Sequence, residues 1–219
     1  MKPLTGNLES IAEETRLYFA AKDAAREKTL RLSREIIRLS RQAIRAVHRQ
    51  DYDQASRLLI SATEVLREVS KSLKAHEDLL HSAIFHDAQK ELAEGYTTLA
   101  MVTGHPLPEP AALDVTPAAY LNGLGEAVGE IRRYLLDGLR RGDMSRSEEL
   151  LSAMDDIYSV LVTMDFPEAL TVGLRRTTDM VRGVLERTRG DLTMAAAQKE
   201  LEAKLQDFAS SQKRPGARK

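Results

Sequence analysis

Cysteine and tryptophan are absent from the 219 residues. Without cysteine the chain has no disulfide, no thiolate metal site and no thiol nucleophile. No run of about 18 uncharged apolar residues occurs, and Met1–Ser10 lacks the apolar core of a signal segment. The expectation is a cytoplasmic protein that does not associate with a membrane. Also missing are a glycine-rich phosphate loop, a His-Glu-x-x-His helix and a nucleophile elbow, which removes several enzyme classes. Proline numbers only 7 and aromatics make up 5%, and no stretch shows strand alternation bounded by turns. The fold class expected is therefore all-α.

Hydrophobic residues at 42% and charged residues at 30% describe a chain that buries a core beneath a charged surface. No linker separates two cores, so residues 1–208 read as one helical domain and 209–219 as a disordered basic tail. Helical periodicity divides the domain into seven segments: Leu4–Gln50, Tyr52–Lys74, Glu77–Val102, Pro117–Arg141, Ser145–Met164, Pro167–Arg189 and Asp191–Phe208. Gly104-His-Pro ends the third, Pro117 opens the fourth, Gly190 closes the sixth and Asp191 caps the seventh. The first two form an antiparallel hairpin.

The formal net charge is −1, but it is unevenly spread. Between Arg16 and Arg49 stand ten Lys and Arg against three acids. Within the first helix Ile36, Leu39, Ala43, Ile44 and Val47 make an apolar stripe, and Arg31, Arg34, Arg38, Arg41 and Arg45 step by three and four along another face. A cationic stripe on a helix is commonly a solvated face. Its purity of sign also suits the phosphates of a nucleic acid.

Two pairs of acids share this helical logic. Glu91 and Glu94 lie three apart on the third helix, and Glu126 and Glu130 lie four apart on the fourth, so each pair occupies one face. Glutamate is ordinary filler of exposed helix surface. Around these four, however, are Ala88, Leu92 and Ala93 on one helix and Gly123, Gly125 and Gly129 on the other, and glycines permit close approach of a neighbouring helix or ligand. Two helices could thus converge their carboxylates. The chain has no Glu-x-x-His pair of the di-iron type, and His81 and His86, five apart, point in different directions. Carboxylates without His or Cys favour hard cations, above all Mg2+ or Mn2+, which usually act on phosphate.

Several segments together resemble the translin superfamily, in particular its archaeal members: Leu30-Arg-Leu-Ser-Arg-Glu-Ile-Ile-Arg-Leu-Ser40, Thr103-Gly-His-Pro-Leu-Pro108, Tyr120-Leu-Asn-Gly-Leu-Gly-Glu-Ala-Val-Gly-Glu-Ile-Arg-Arg133, Gly173-Leu-Arg-Arg176 and Arg189-Gly-Asp-Leu-Thr193. The resemblance covers nearly the whole chain in order. It implies a seven-helix fold and a closed homo-octameric shell enclosing single-stranded RNA or single-stranded DNA. In the catalytic branch, translin-associated factor X, a Gln-Glu-x-x-Glu motif matches Lys90-Glu91-Leu92-Ala93-Glu94. A Gly-x-x-Asp-x-x-Gly-Glu stretch matches Gly123–Glu130. Lys90 stands where that branch has Gln, and Glu126 where it has Asp. The non-catalytic translin branch has a basic, His-containing stretch here, to which only His86 corresponds.

The resemblance thus implies a Mg2+-dependent endoribonuclease on single-stranded RNA, with Glu91, Glu94, Glu126 and Glu130 as metal ligands and catalytic residues. Arg31, Arg34, Arg38, Arg41, Arg45, His86 and Lys90 are then the contacts to nucleic acid. The alternative is a non-catalytic binder of single-stranded DNA or RNA in which the four acids are helix surface.

Overall fold

Seven α-helices and no strand are found among the described residues. The computed structural model of the chain describes residues 4–74 and 76–212. The helices are α1 (Leu8–His48), α2 (Tyr52–Ser72), α3 (Ala83–Thr103), α4 (Pro117–Arg140), α5 (Ser147–Val162), α6 (Glu168–Thr171) and α7 (Leu174–Gln212). The all-α expectation holds, and most boundaries are set by the residues that suggested them. Asp51 caps α2 by accepting from the Gln54 N–H at 3.1 Å. Thr116 caps α4 ahead of Pro117, and Gly104, at φ 73°, closes α3 in the left-handed conformation that a glycine adopts without strain.

Three expectations are corrected. The first helix begins at Leu8 rather than Leu4. The third begins at Ala83, because Glu77–His81 is a separate 3-10 turn and Ser82 turns the chain to ψ 142°. The largest correction concerns the C-terminal third. Residues 167–189 do not form one helix: four residues of α6 end at Val172 (φ 47°) and Gly173 (φ 88°), both left-handed. α7 then runs unbroken through Gly190 and Asp191.

Packing explains why the glycine does not stop α7. Val181, Leu185, Thr188 and Leu192 are all buried and step by four, three and four, so one stripe continues across residue 190. The Asp191 carboxylate meets Arg132 of α4 at 2.7 Å instead of capping a new helix. Of the segment expected as a tail, residues 209–212 continue α7, and residues 213–219 lie outside the described ones.

α3 lies between α1 and α4; α2 covers α1, and α5 and α7 cover α4. Ile36, Leu59, Leu66, Phe85, Leu92, Ile131 and Met154 fill the core. Alanines at 43, 46, 55, 62, 88, 93, 119 and 127 are fully enclosed, and small side chains bring helix axes close. Gly123 carries this furthest. A Cβ there would collide with the Lys90 carbonyl and stand 2.9 Å from both the Ala93 Cβ and the Glu94 nitrogen. α4 is therefore pressed onto α3 at the turn that bears the first acidic pair.

Candidate functional site

The glycine contact between α3 and α4 brings the two acidic pairs to one place. α3 offers Lys90, Glu91 and Glu94, and α4 offers Glu126 and Glu130. From the other side α1 adds Arg41 and His48, seven residues apart and so on one face. Glu91 is 8% and Glu94 9% exposed. Neither is the exposed filler that glutamate usually is.

Three of the four carboxylates carry a cationic or imidazole partner. Arg41 chelates Glu91, its Nε 3.1 and 3.0 Å from the two oxygens and its Nη2 2.5 Å from Oε1. Lys90 Nζ lies 2.8 Å from Glu126. The buried imidazole of His48 places Nε2 2.5 Å from Glu130, and Arg133 stands further off at 3.9 Å. The His48 contact holds the Glu130 carboxyl below the usual range against the opposing effect of burial.

Glu94 differs. Among the described residues no cation and no hydrogen-bond donor reaches its carboxylate. Burial, followed by the negative charges of Glu126, Glu91 and Glu130, pushes its pKa up to about 8. Those neighbours are the other three acids singled out in the sequence, so all four share one electrostatic neighbourhood centred on Glu94.

As the side chains stand, no three His, Asp or Glu residues among the described ones form a set that grips a metal ion. In kind the donors suit a hard divalent cation: Glu91, Glu126 and Glu130 lie within electrostatic reach of Glu94, and no Cys is among them. Arg41, His48 and Lys90 are already paired with three of these carboxylates.

The arginine stripe leads to this cluster. Arg31, Arg34, Arg38, Arg41 and Arg45 are all exposed. Arg41 is spent on Glu91 and Arg38 lies 3.7 Å from Glu35 of its own helix. Arg31, Arg34 and Arg45 have no carboxylate partner among the described residues. His86 and Lys90 line a cavity of about 340 Å³ beside Glu126, walled on the far side by Arg176 and Thr177 of α7. Burial lowers the His86 pKa, which leaves the ring neutral at neutral pH.

Sequence reasoning did not find His48, Asn122 or Arg176. The seven-residue spacing from Arg41 is the signal that could have found His48. Arg176 stood in a quoted motif, but the unforeseen corner at Val172 and Gly173 is what turns it toward α3.

No family model matches the sequence. An uncharacterised protein of Methanocaldococcus jannaschii, MJ0175, is 30% identical over 180 residues, which cover 80% of this chain and 78% of that protein. The structure of AfC3PO is similar at a TM-score of 0.79 and 34% identity, over 85% of this chain and 97% of the other. AfC3PO in its complex with duplex RNA gives 0.77 and 35% over the same shares. The chain belongs to the translin family. NeC3PO without ligand, at 20% identity and a TM-score of 0.71, shares the fold. For a translin-family chain the resemblance rests on residues now placed: Lys90–Glu94 and Gly123–Glu130 face each other across the α3–α4 contact. No helix among the described residues is long and apolar enough to cross a membrane.

Proposed function

We propose that this protein is a metal-dependent endoribonuclease acting on single-stranded RNA held inside a homo-oligomeric shell. The observation that carries the reading is the grouping of Glu91, Glu126 and Glu130 within electrostatic reach of a buried Glu94 that no cation or hydrogen-bond donor contacts among the described residues, beside an exposed arginine stripe. The complex of AfC3PO with duplex RNA supports RNA as the ligand class, and comparing single strands with duplexes tests the strand preference. Glu91, Glu94, Glu126 and Glu130 would hold Mg2+ or Mn2+, which when bound lowers the pKa of a coordinated water and neutralises charge on the phosphate. Arg31, Arg34 and Arg45 engage backbone phosphates and set the strand's path. His48 holds Glu130 ionised and oriented. Lys90 sets the charge beside Glu126.

Self-assembly, with an octamer as the expected state, is supported by apolar residues left on the two longest helices. Leu8, Ile11, Leu17, Tyr18 and Phe19 on α1 and Met194, Leu201, Leu205 and Phe208 on α7 are exposed. A mass of 24.4 kDa by light scattering at micromolar concentration would refute enclosure.

A second reading, a non-catalytic binder of single-stranded RNA or DNA, is favoured by one observation: Arg41, Lys90 and His48 already pair three of the carboxylates, as an internal ion-pair network would. One experiment separates the two. An unstructured RNA is incubated with wild type and Glu94→Gln, with Mg2+ and with chelator. The nuclease reading expects cleavage by wild type with Mg2+ alone, a loss of orders of magnitude in the variant, and binding retained in both. Binding without cleavage leaves the binder.

A further inference from the structure

The corner between α6 and α7 is built around a strained residue. Val172 sits at φ 47° and ψ 63°, a conformation that a β-branched side chain resists. Asn122, 2% exposed, holds it there. Its Nδ2 donates to the carbonyls of Thr171 at 2.9 Å and Val172 at 3.2 Å, and its Oδ1 accepts from the Thr177 hydroxyl at 2.7 Å. Asn122 lies one helical turn before Glu126 on α4, so the side chain that fixes the corner and the carboxylate of the candidate site share a face.

Between them opens the cavity of about 340 Å³, near the lower end of ligand-pocket volumes. Its lining is mixed. Arg176 has no carboxylate partner among the described residues, whereas Lys90 is paired with Glu126, and Asp87 also lines the wall. Val172 and Met180, 48% and 37% exposed, add apolar surface, and His86 adds an imidazole ring. An unpaired guanidinium together with apolar surface and one flat ring suits the phosphate and the base of a nucleotide.

Resting on the RNA reading above, we infer that this pocket is a nucleotide subsite: it takes the nucleotide next to the phosphodiester at the carboxylates, phosphate on Arg176 and base against Met180 and His86. The corner then has a purpose that helix packing alone does not supply, since it aims the Gly173-Leu-Arg-Arg176 motif at α3.

The test measures binding of a 12-nucleotide single-stranded RNA by fluorescence anisotropy across a salt series, with a 5′-phosphate and with a 5′-hydroxyl. Arg176→Gln should weaken binding roughly tenfold and reduce the salt slope by about 0.7, one phosphate's share for a single strand. Arg176→Lys should restore much of it. The control is Arg175→Gln, which removes an equal charge from the neighbouring exposed position that does not line the cavity. Met180→Glu, at an exposed position, should weaken binding as well. A loss confined to the 5′-phosphorylated RNA assigns the pocket to a chain end; an equal loss with both assigns it to an internal phosphodiester. Equal effects of the Arg175 and Arg176 substitutions, or none from either, overturn the subsite while leaving RNA binding by wild type intact. Failure of wild type to bind any RNA overturns both.

Discussion

Arg41 on α1 closes on both oxygens of Glu91 on α3, joining an exposed guanidinium to a nearly buried carboxylate fifty residues on. The pair stands where the arginine stripe meets the carboxylate cluster, so under the proposed function a cation entering the cluster and a phosphate approaching the stripe would compete for its two halves. Arg41→Gln should lower apo stability by about 1 kcal/mol, in the range of a partly exposed pair rather than a buried one. It should also make Mg2+ more stabilising than in wild type, because Glu91 no longer has to be released. Melting temperatures of both proteins with and without Mg2+ decide it; an unchanged Mg2+ increment would show that Glu91 takes no part in holding the ion.

Glu94 makes stability depend on pH in a defined direction. Its carboxyl is raised from 4.5 to about 8, so the folded state binds the proton more tightly than the unfolded chain does. The stabilising contribution is complete below the unfolded value and is lost as pH rises through the folded one. At about 1.4 kcal/mol per pKa unit the loss is bounded by roughly 5 kcal/mol. Glu94→Gln should flatten the decline between pH 5 and pH 8 and leave the variant the more stable protein at pH 8 without divalent cation. Parallel unfolding curves of the two proteins across that window would place Glu94 outside the cluster.

Glu130 has the opposite sign. Its pKa is lowered by the His48 contact, so its contribution is present above the unfolded carboxylate value and disappears as pH falls through the folded one. His48→Gln should reduce stability at neutral pH by about 1–2 kcal/mol. It should also make the variant less sensitive to acid than wild type. Denaturant titrations at pH 7 and pH 4 test both halves of the statement, and a variant as stable as wild type at pH 7 would remove His48 from its supporting role.

Periodicity and spacing made the helices and the acidic pairs legible because both are local. Ile36 to Val47 announce a buried face, Gly104 and Pro117 announce ends, and the three- and four-residue steps within each acidic pair are the geometry of one turn. Gly190 and Val172 are illegible for the complementary reason. A glycine ends a helix only where burial does not continue past it, and Leu192 continues it here. A valine ends one only where something fixes its carbonyl, and Asn122 does so from fifty residues away. Likewise nothing in the spacing of Arg41 or Lys90 told that each would be spent on an acid of the cluster. That depends on how closely α1, α3 and α4 approach.

That approach is set by glycine, and two positions separate its effects. Gly123 has no room for a methyl group against the Lys90 carbonyl and the Glu94 nitrogen, whereas Gly129, six residues on, faces open space. Both gain helix propensity from alanine, about 1 kcal/mol in an unhindered position, so Gly129→Ala should be neutral or stabilising by up to that amount. Gly123→Ala must push α4 away from backbone that has no rotamer to yield, and should cost about 1–3 kcal/mol net. Because the displacement falls between Glu94 and Glu126, it should also weaken Mg2+-dependent stabilisation and cleavage more than its effect on folding alone explains. Thermal melts and cleavage rates for the two variants side by side are the measurement. If Gly123→Ala melts with Gly129→Ala and cleaves as wild type does, the close contact of α3 and α4 is not what holds the carboxylates together.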